Sequence, residues 1–222
     1  MNNLQIIDLN LIDYISALRY QENLFYDNIK KKAKNEKTQN YLLLCEHPHV
    51  YTLGKSGEKN NLLINSDFLK KINATFHETN RGGDITYHGQ GQIVGYPILN
   101  LENFNIGVRE YIVKVENIII DVLADYGIKS EKSDEQIGVW IDKGTKNERK
   151  ICALGVKVSR GITMHGFALN INTDLSYFNH INPCGFTDKG VTSMQKELGR
   201  EVDIEEVKNK IINIFVKKMK SE

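Results

Sequence analysis

The chain has 222 residues, 41% of them apolar and 26% charged, with a formal net charge of +1. That is a globular composition, long enough for a sizeable core without covalent staples and too neutral to draw nucleic acid or an acidic membrane by its overall field. Three cysteines in unrelated contexts exclude a disulfide framework and fit a reducing compartment. The amino-terminal stretch MNNLQIIDLNLIDY has no basic region ahead of an apolar run, and no apolar run approaches a membrane span. A cytoplasmic protein with no nucleic-acid and no membrane partner is expected.

Along the chain, residues 12–34 are predicted as a helix, with Ile15, Leu18, Phe25 and Ile29 on one stripe and KKKAKNEK as its solvated end. Strands follow at 41–46 and 49–53. NSDFLKKI is a short helix with Ser66 as its cap. RGGDITYHGQGQIVGYPILNL reads as strand, glycine-rich turn and strand. The three- and four-residue recurrence of Val108, Tyr111, Ile112, Val115, Ile118, Ile119, Val122 and Tyr126 makes a helix closed by Gly127. GVWID and KICALGVKV are two strands joined by a polar loop, and TMHGFALNIN is a third beside them. TSMQKELG is a helix with a capping box from Thr192 to Gln195 and a stop at Gly199, and a last helix covers 203–218. Helices and strands mix without regular βαβ alternation. The expected fold is therefore α/β of the α+β type: a mixed, largely antiparallel sheet with packed helices. Residues 1–222 read as one domain, with a small C-terminal helical part from about residue 190.

Several familiar sites are excluded by spacing. Gly54-Lys55-Ser56 resembles the end of a phosphate loop, but position 49, where that loop needs glycine, is His. Gly89, Gly91 and Gly95 are spaced one residue too far for a dinucleotide fingerprint and lead into strand. Cys45, His47 and His49 have metal-binding residue types, but Pro48 interrupts them and no fourth ligand has recognisable spacing, so no metal and no cofactor is expected. Cys45 and Cys152 lie in apolar runs, where cysteine packs as a small hydrophobe. Cys184 is different. It sits in NPCGF, a stiff and open turn that suits a thiol to be approached. Lys150, His88, His165 and His180 are the groups that could activate it. By the period of two, Lys150 shares a face with Cys152, Leu154, Val156 and Val158. Taken alone, it is expected to snorkel out of that apolar face.

Three segments, RGGDITYHGQGQIVGYPI, RKICALGVKVSRGITMHGFALNIN and INPCGF, occur in this order, together with YTLGKSG before them and the helix at 192–199 after them. In combination they resemble the lipoyl/octanoyl transferases, also called lipoate-protein ligase B, over residues 41–199. Asp84 stands where Gln is more usual in that family, and Gln90 where Pro is usual. The resemblance implies a fold similar to the catalytic domains of lipoate- and biotin-protein ligases and a single catalytic domain. It implies transfer of an octanoyl group from the thioester of acyl carrier protein to a lysine of lipoyl domains, such as those of 2-oxoacid dehydrogenases and the glycine cleavage H protein. Cys184 would carry the acyl group, and Lys150 would lower its pKa and handle protons, in place of the snorkelling role. Arg81, Gly82, Gly83, Asp84, Ile85, Thr86, Tyr87 and His88 would line the acyl site, with Ala153, Leu154 and Gly155 and with Gly166, Phe167 and Ala168. Backbone N–H groups at Leu154 and Gly155 are the candidate oxyanion donors. An ATP-using lipoate ligase and a cysteine thioester hydrolase are the rival readings.

Overall fold

The computed structural model describes residues 4–133, 136–182 and 190–219. The run YLLLC explains the centre of the molecule. Strand β2 (Asn40–Glu46) sends Leu42 and Leu44 to one side and Leu43 and Cys45 to the other, and all four are fully buried. A strand apolar on both faces requires cover on both. On one side the cover is α1 (Tyr14–Ala33), which presents Ala17 and Phe25. On the other side it is α3 (Val108–Ala124) and α5 (Ile204–Met219), which place Val115, Ile119, Ile211 and Phe215 in the main core. The C-terminal helices therefore share the core of the sheet.

The large sheet runs β1-β2-β6-β10-β9-β8-β7, with β11 paired to β9. Its members are β1 (Leu4–Leu11), β6 (Gln92–Ile98), β7 (Glu131–Lys132), β8 (Gly138–Ile141), β9 (Arg149–Ser159), β10 (Ile162–Asn170) and β11 (Gly190–Val191). The β1–β2 and β9–β11 pairs are parallel and the rest antiparallel. A second sheet of three strands has the order β4-β3-β5, from β3 (Val50–Leu53), β4 (Thr75–Glu78) and β5 (Ile85–His88). It carries a separate small core with Tyr51, Tyr87 and Ile181.

The strand, glycine-rich turn and strand occur as expected, but β5 pairs with β3 in the small sheet and β6 lies in the large one, so the glycine turn carries the chain between sheets. Two helix caps need correction. The cap of α2 (Ser66–Lys71) is Asn65, whose side chain accepts from the Phe68 N–H. The cap of α4 (Met194–Leu198) is Ser193, not Thr192. Ser193 accepts from the Lys196 N–H, and the Thr192 hydroxyl donates to Glu197. Gly199 does close α4, in the left-handed conformation only glycine adopts freely.

Candidate active site

Lys150 lies beside an irregularity in β9. β9 pairs regularly with β8 through Cys152 and Val139, but the next pair is Lys150 with Trp140, which leaves Ile151 without a partner on β8. One extra residue in a strand breaks the period of two. Ile151 and Cys152 both enter the main core, and Lys150 does not share their face. It lines a cavity instead, with its Nζ 4.5 Å from the centroid of the Trp140 ring.

The cavity has a volume of about 820 Å³. One wall is the large sheet, with Val94 and Tyr96 from β6, Ala153 to Val156 from β9 and Gly166 to Ala168 from β10. The facing wall is the segment 81–86 with His88, and Ile181, Asn182, Gly190 and Val191 complete the rim near Lys150. Of the predicted site residues, Arg81, Gly82, Gly83, Asp84, Ile85, Thr86, His88, Lys150, Ala153, Leu154, Gly155, Gly166, Phe167 and Ala168 all line this one space. Tyr87 does not. Its neighbours on β5 take the cavity side, and Tyr87 packs with Tyr51 and Phe178 while its hydroxyl meets His49 Nδ1 at 2.7 Å. Cys184 lies outside the described residues.

The glycine-rich loop is clamped onto β9. The Gly82 N–H donates to the Val156 carbonyl (2.9 Å), and a Cβ on Gly155 would come within 2.8 Å of the Gly82 carbonyl oxygen, so position 155 tolerates no side chain. The same bond sorts the oxyanion candidates. Val156 turns its backbone groups toward the loop, and Leu154 shares that direction by the two-residue repeat. Gly155 points its N–H at β10, and Leu154 turns its own to the opposite side, toward the end of β8.

Arg81 and two histidines of the cavity are buried and hydrogen-bonded. Arg81 is buried and donates through Nη2 to the Thr52 carbonyl (2.5 Å) and hydroxyl (3.0 Å), through Nε to the same hydroxyl (3.3 Å) and through Nη1 to the Gly82 carbonyl (3.1 Å). Burial lowers its pKa. Burial, reinforced by the neighbouring His47, drives His88 down to about 3 against the opposing bond to Gln92. Burial, with the charges of Arg81 and Lys157, does the same to His165. His165 is also in the left-handed backbone region at φ +59°, where β10 leaves its ladder with β6, and its Nε2 meets Asn80 Oδ1 at 2.8 Å.

Sequence reasoning missed the contributions of Tyr14, Gln92, Trp140 and Asn170 to this cavity and named His165 only as a group that could activate Cys184. A polar residue inside an apolar strand, as in MHGFALN, was the available signal for Asn170. The cysteine–histidine run at 45–49 is engaged elsewhere: His47 meets the Ile12 carbonyl and the Tyr96 hydroxyl, each at 2.7 Å, and His49 stacks on Tyr177.

A sequence profile of the lipoyl protein ligase A/B catalytic domain matches residues 13–216. An octanoyltransferase of Bacteroides thetaiotaomicron is 52% identical over 206 residues, 93% of this chain and 91% of its own length. One of Flavobacterium johnsoniae is 55% identical over 216 residues, 94% and 93% of the two chains. Among solved structures, an archaeal bipartite lipoate protein ligase of Thermoplasma acidophilum superposes with a TM-score of 0.72 at 16% identity, over 100% of this chain and 86% of its own. A biotin protein ligase of Aquifex aeolicus superposes with a TM-score of 0.52 at 13% identity, over 99% and 70%. The last two likenesses establish the α/β, mostly antiparallel fold expected from the sequence.

Proposed function

The chain belongs to the lipoyl protein ligase A/B catalytic-domain family, and on that premise we propose that it is an octanoyltransferase acting through a cysteine thioester. The donor is octanoyl-acyl carrier protein. The acceptor is a lysine of a lipoyl domain, in 2-oxoacid dehydrogenases and the glycine cleavage H protein. Residues 1–222 act as one catalytic domain, in the reducing cytoplasm where a nucleophilic thiol survives.

The observation that carries this reading is the position of Lys150 on the wall of a cavity lined by Leu154, Phe167, Val94 and Ala168. Asn182 and Gly190, on either side of Cys184 in the chain, line the same space. Six buried methylenes of an octanoyl chain, at about 0.8 kcal/mol each, contribute roughly 5 kcal/mol of binding.

In the first step the Cys184 thiol gives its proton to Lys150 and the thiolate attacks the donor carbonyl. A new S–C bond forms, the donor S–C bond breaks, and the carrier thiol leaves with the proton from the Lys150 ammonium. In the second step the neutral amine of the acceptor lysine attacks the acyl-enzyme. A C–N bond forms, Cys184 leaves as the thiolate, and Lys150 takes the proton lost by the amine. Thioester exchange followed by aminolysis runs downhill without ATP.

Intact-protein mass spectrometry after incubation with octanoyl-acyl carrier protein and no ATP tests the reading. An octanoyl increment is expected on the wild-type protein and on Cys45→Ser and Cys152→Ser, and is absent from Cys184→Ala. Dependence of transfer on ATP, or release of free octanoate in place of acyl-lysine, would reject it.

A further inference from the structure

A chain of buried hydrogen bonds crosses the molecule from Arg81 to the strand beside Lys150. Arg81 Nε and Nη2 reach Thr52 Oγ1 at 3.3 and 3.0 Å. Thr52 Oγ1 meets His88 Nε2 at 3.4 Å, and His88 Nδ1 meets Gln92 Oε1 at 2.8 Å. Gln92 Nε2 meets Asn170 Oδ1 at 2.8 Å, and Asn170 Nδ2 meets the Thr192 carbonyl at 2.9 Å. The N–H of the same Thr192 donates to the Lys150 carbonyl (3.0 Å). Thr52, Gln92 and Thr192 are at most 1% exposed, and Asn170 and His88 at most 6%.

The two ends fix the direction of every link. A guanidinium only donates and a backbone carbonyl only accepts. Thr52, accepting from Arg81, turns its own O–H to His88 Nε2. His88 must then carry its proton on Nδ1 and give it to Gln92 Oε1. Gln92 turns its NH₂ to Asn170 Oδ1, and Asn170 turns its NH₂ to Thr192. Reversing either amide or the ring tautomer leaves two acceptors or two donors facing each other away from water, at roughly 1–3 kcal/mol each. His47, Arg81 and His165 are the ionisable groups that face the His88 ring, and Tyr14 stacks against it; all oppose or ignore a positive charge there.

We propose that Gln92 and Asn170 are positioning residues of the acyl-transfer site: they hold His88 as the neutral Nδ1–H tautomer and pin the Thr192 carbonyl, which fixes β11 beside Lys150. The inference rests on the acyl-transfer reading for its function, though not for its geometry. The loop wall and the Lys150 wall of the cavity become one frame, and a misplacement of about 1 Å between reacting groups costs on the order of a hundredfold in rate. Neither residue touches the reacting atoms.

The test uses full-length protein labelled with ¹⁵N-histidine, read by long-range ¹H–¹⁵N correlation and by octanoyl transfer on the same samples. Wild-type His88 is expected as the Nδ1–H tautomer at pH 7. Asn170→Asp keeps an acceptor for Gln92 but sets an oxygen against the Thr192 carbonyl. It is expected to leave the His88 signals unchanged and lower kcat at least tenfold, with KM for the donor within threefold. Gln92→Glu places a carboxylate on His88 Nδ1 and is expected to produce the doubly protonated ring along with a similar loss of kcat. An Nε2–H tautomer in wild-type protein that transfers octanoyl overturns the relay alone, as does Asn170→Asp transferring at the wild-type rate. Wild-type protein that forms no adduct while showing the Nδ1–H tautomer overturns the acyl-transfer reading instead.

Discussion

A lysine proposed to relay protons must be held in place while its charge changes, and one such hold at Lys150 is the Trp140 face. A cation over an indole ring gains about 0.5–2 kcal/mol, according to how far it is desolvated. That gain exists only while the amine is protonated, which is the state in which Lys150 would stabilise a neighbouring thiolate. Trp140→Leu is therefore expected to slow acyl-enzyme formation by about two- to thirtyfold, and Trp140→Phe to recover part of it. Stopped-flow measurement of carrier-thiol release checks this; equal rates for the three proteins would separate Trp140 from the chemistry. The residue types of the site were legible in the sequence because glycine density beside Arg and His has no cheap structural explanation. Tyr87 was misplaced because a motif is contiguous whereas a strand alternates, and its ring belongs to the small core. Gln92 and Asn170 were passed over because a buried amide declares itself only through its partners.

Elements were legible where burial was one-sided and long. The apolar stripes of α1, α3 and α5 repeat over three to five turns, and all three helices occur within two residues of their expected ends. β1 escaped notice because an edge strand alternates weakly; its residues are half-buried or exposed throughout. The unpaired Ile151 could not be foreseen either, since a bulge is set by the partner strand. Its consequence was the largest error about a single side chain, because one inserted residue moved Lys150 off the core face. A different device fixes the entry to β2. Asn28 on α1 is fully buried, donates to the Gln39 carbonyl (2.8 Å) and accepts from the Gln39 N–H (2.9 Å), acting as a short surrogate strand. Asn28→Ala removes both bonds and leaves two backbone groups unpaired beneath α1. A loss of about 2–4 kcal/mol is expected, read as a lower urea midpoint with an unchanged slope. A midpoint within error of wild type would mean that water replaces the amide.

At the scale of the whole molecule, the cavity lies where a large sheet, a small sheet and the loop between them converge, and that convergence buries histidines. No local pattern announces it, because β5 and β6 are three residues apart in sequence and belong to different sheets. The cost appears in acid. His88 and His165 have folded pKa values of about 3 against an ordinary 6.5, and burial lowers His47 in the same direction. Between those values the unfolded chain binds protons that the folded protein refuses. Stability therefore rises with pH through this window and is lost as pH falls below about 6.5. Each such histidine contributes a slope of about 1.4 kcal/mol per pH unit. Ion-paired carboxylates act in a separate window. Glu197, held below its ordinary 4.5 chiefly by its hydrogen bond to Arg149, loses its contribution only as pH falls below that value. Unfolding in urea at intervals from pH 7.5 to 5 thus reads the histidines, with Glu116, raised above its ordinary 4.5 chiefly by burial, acting in the opposite direction at the acid end. A steep decline is expected in wild-type protein, with a shallower one in His165→Gln, which cannot be protonated at this position. A flat profile down to pH 5 would mean that these rings accept protons in the folded state, with water or a shifted side chain reaching the cavity floor.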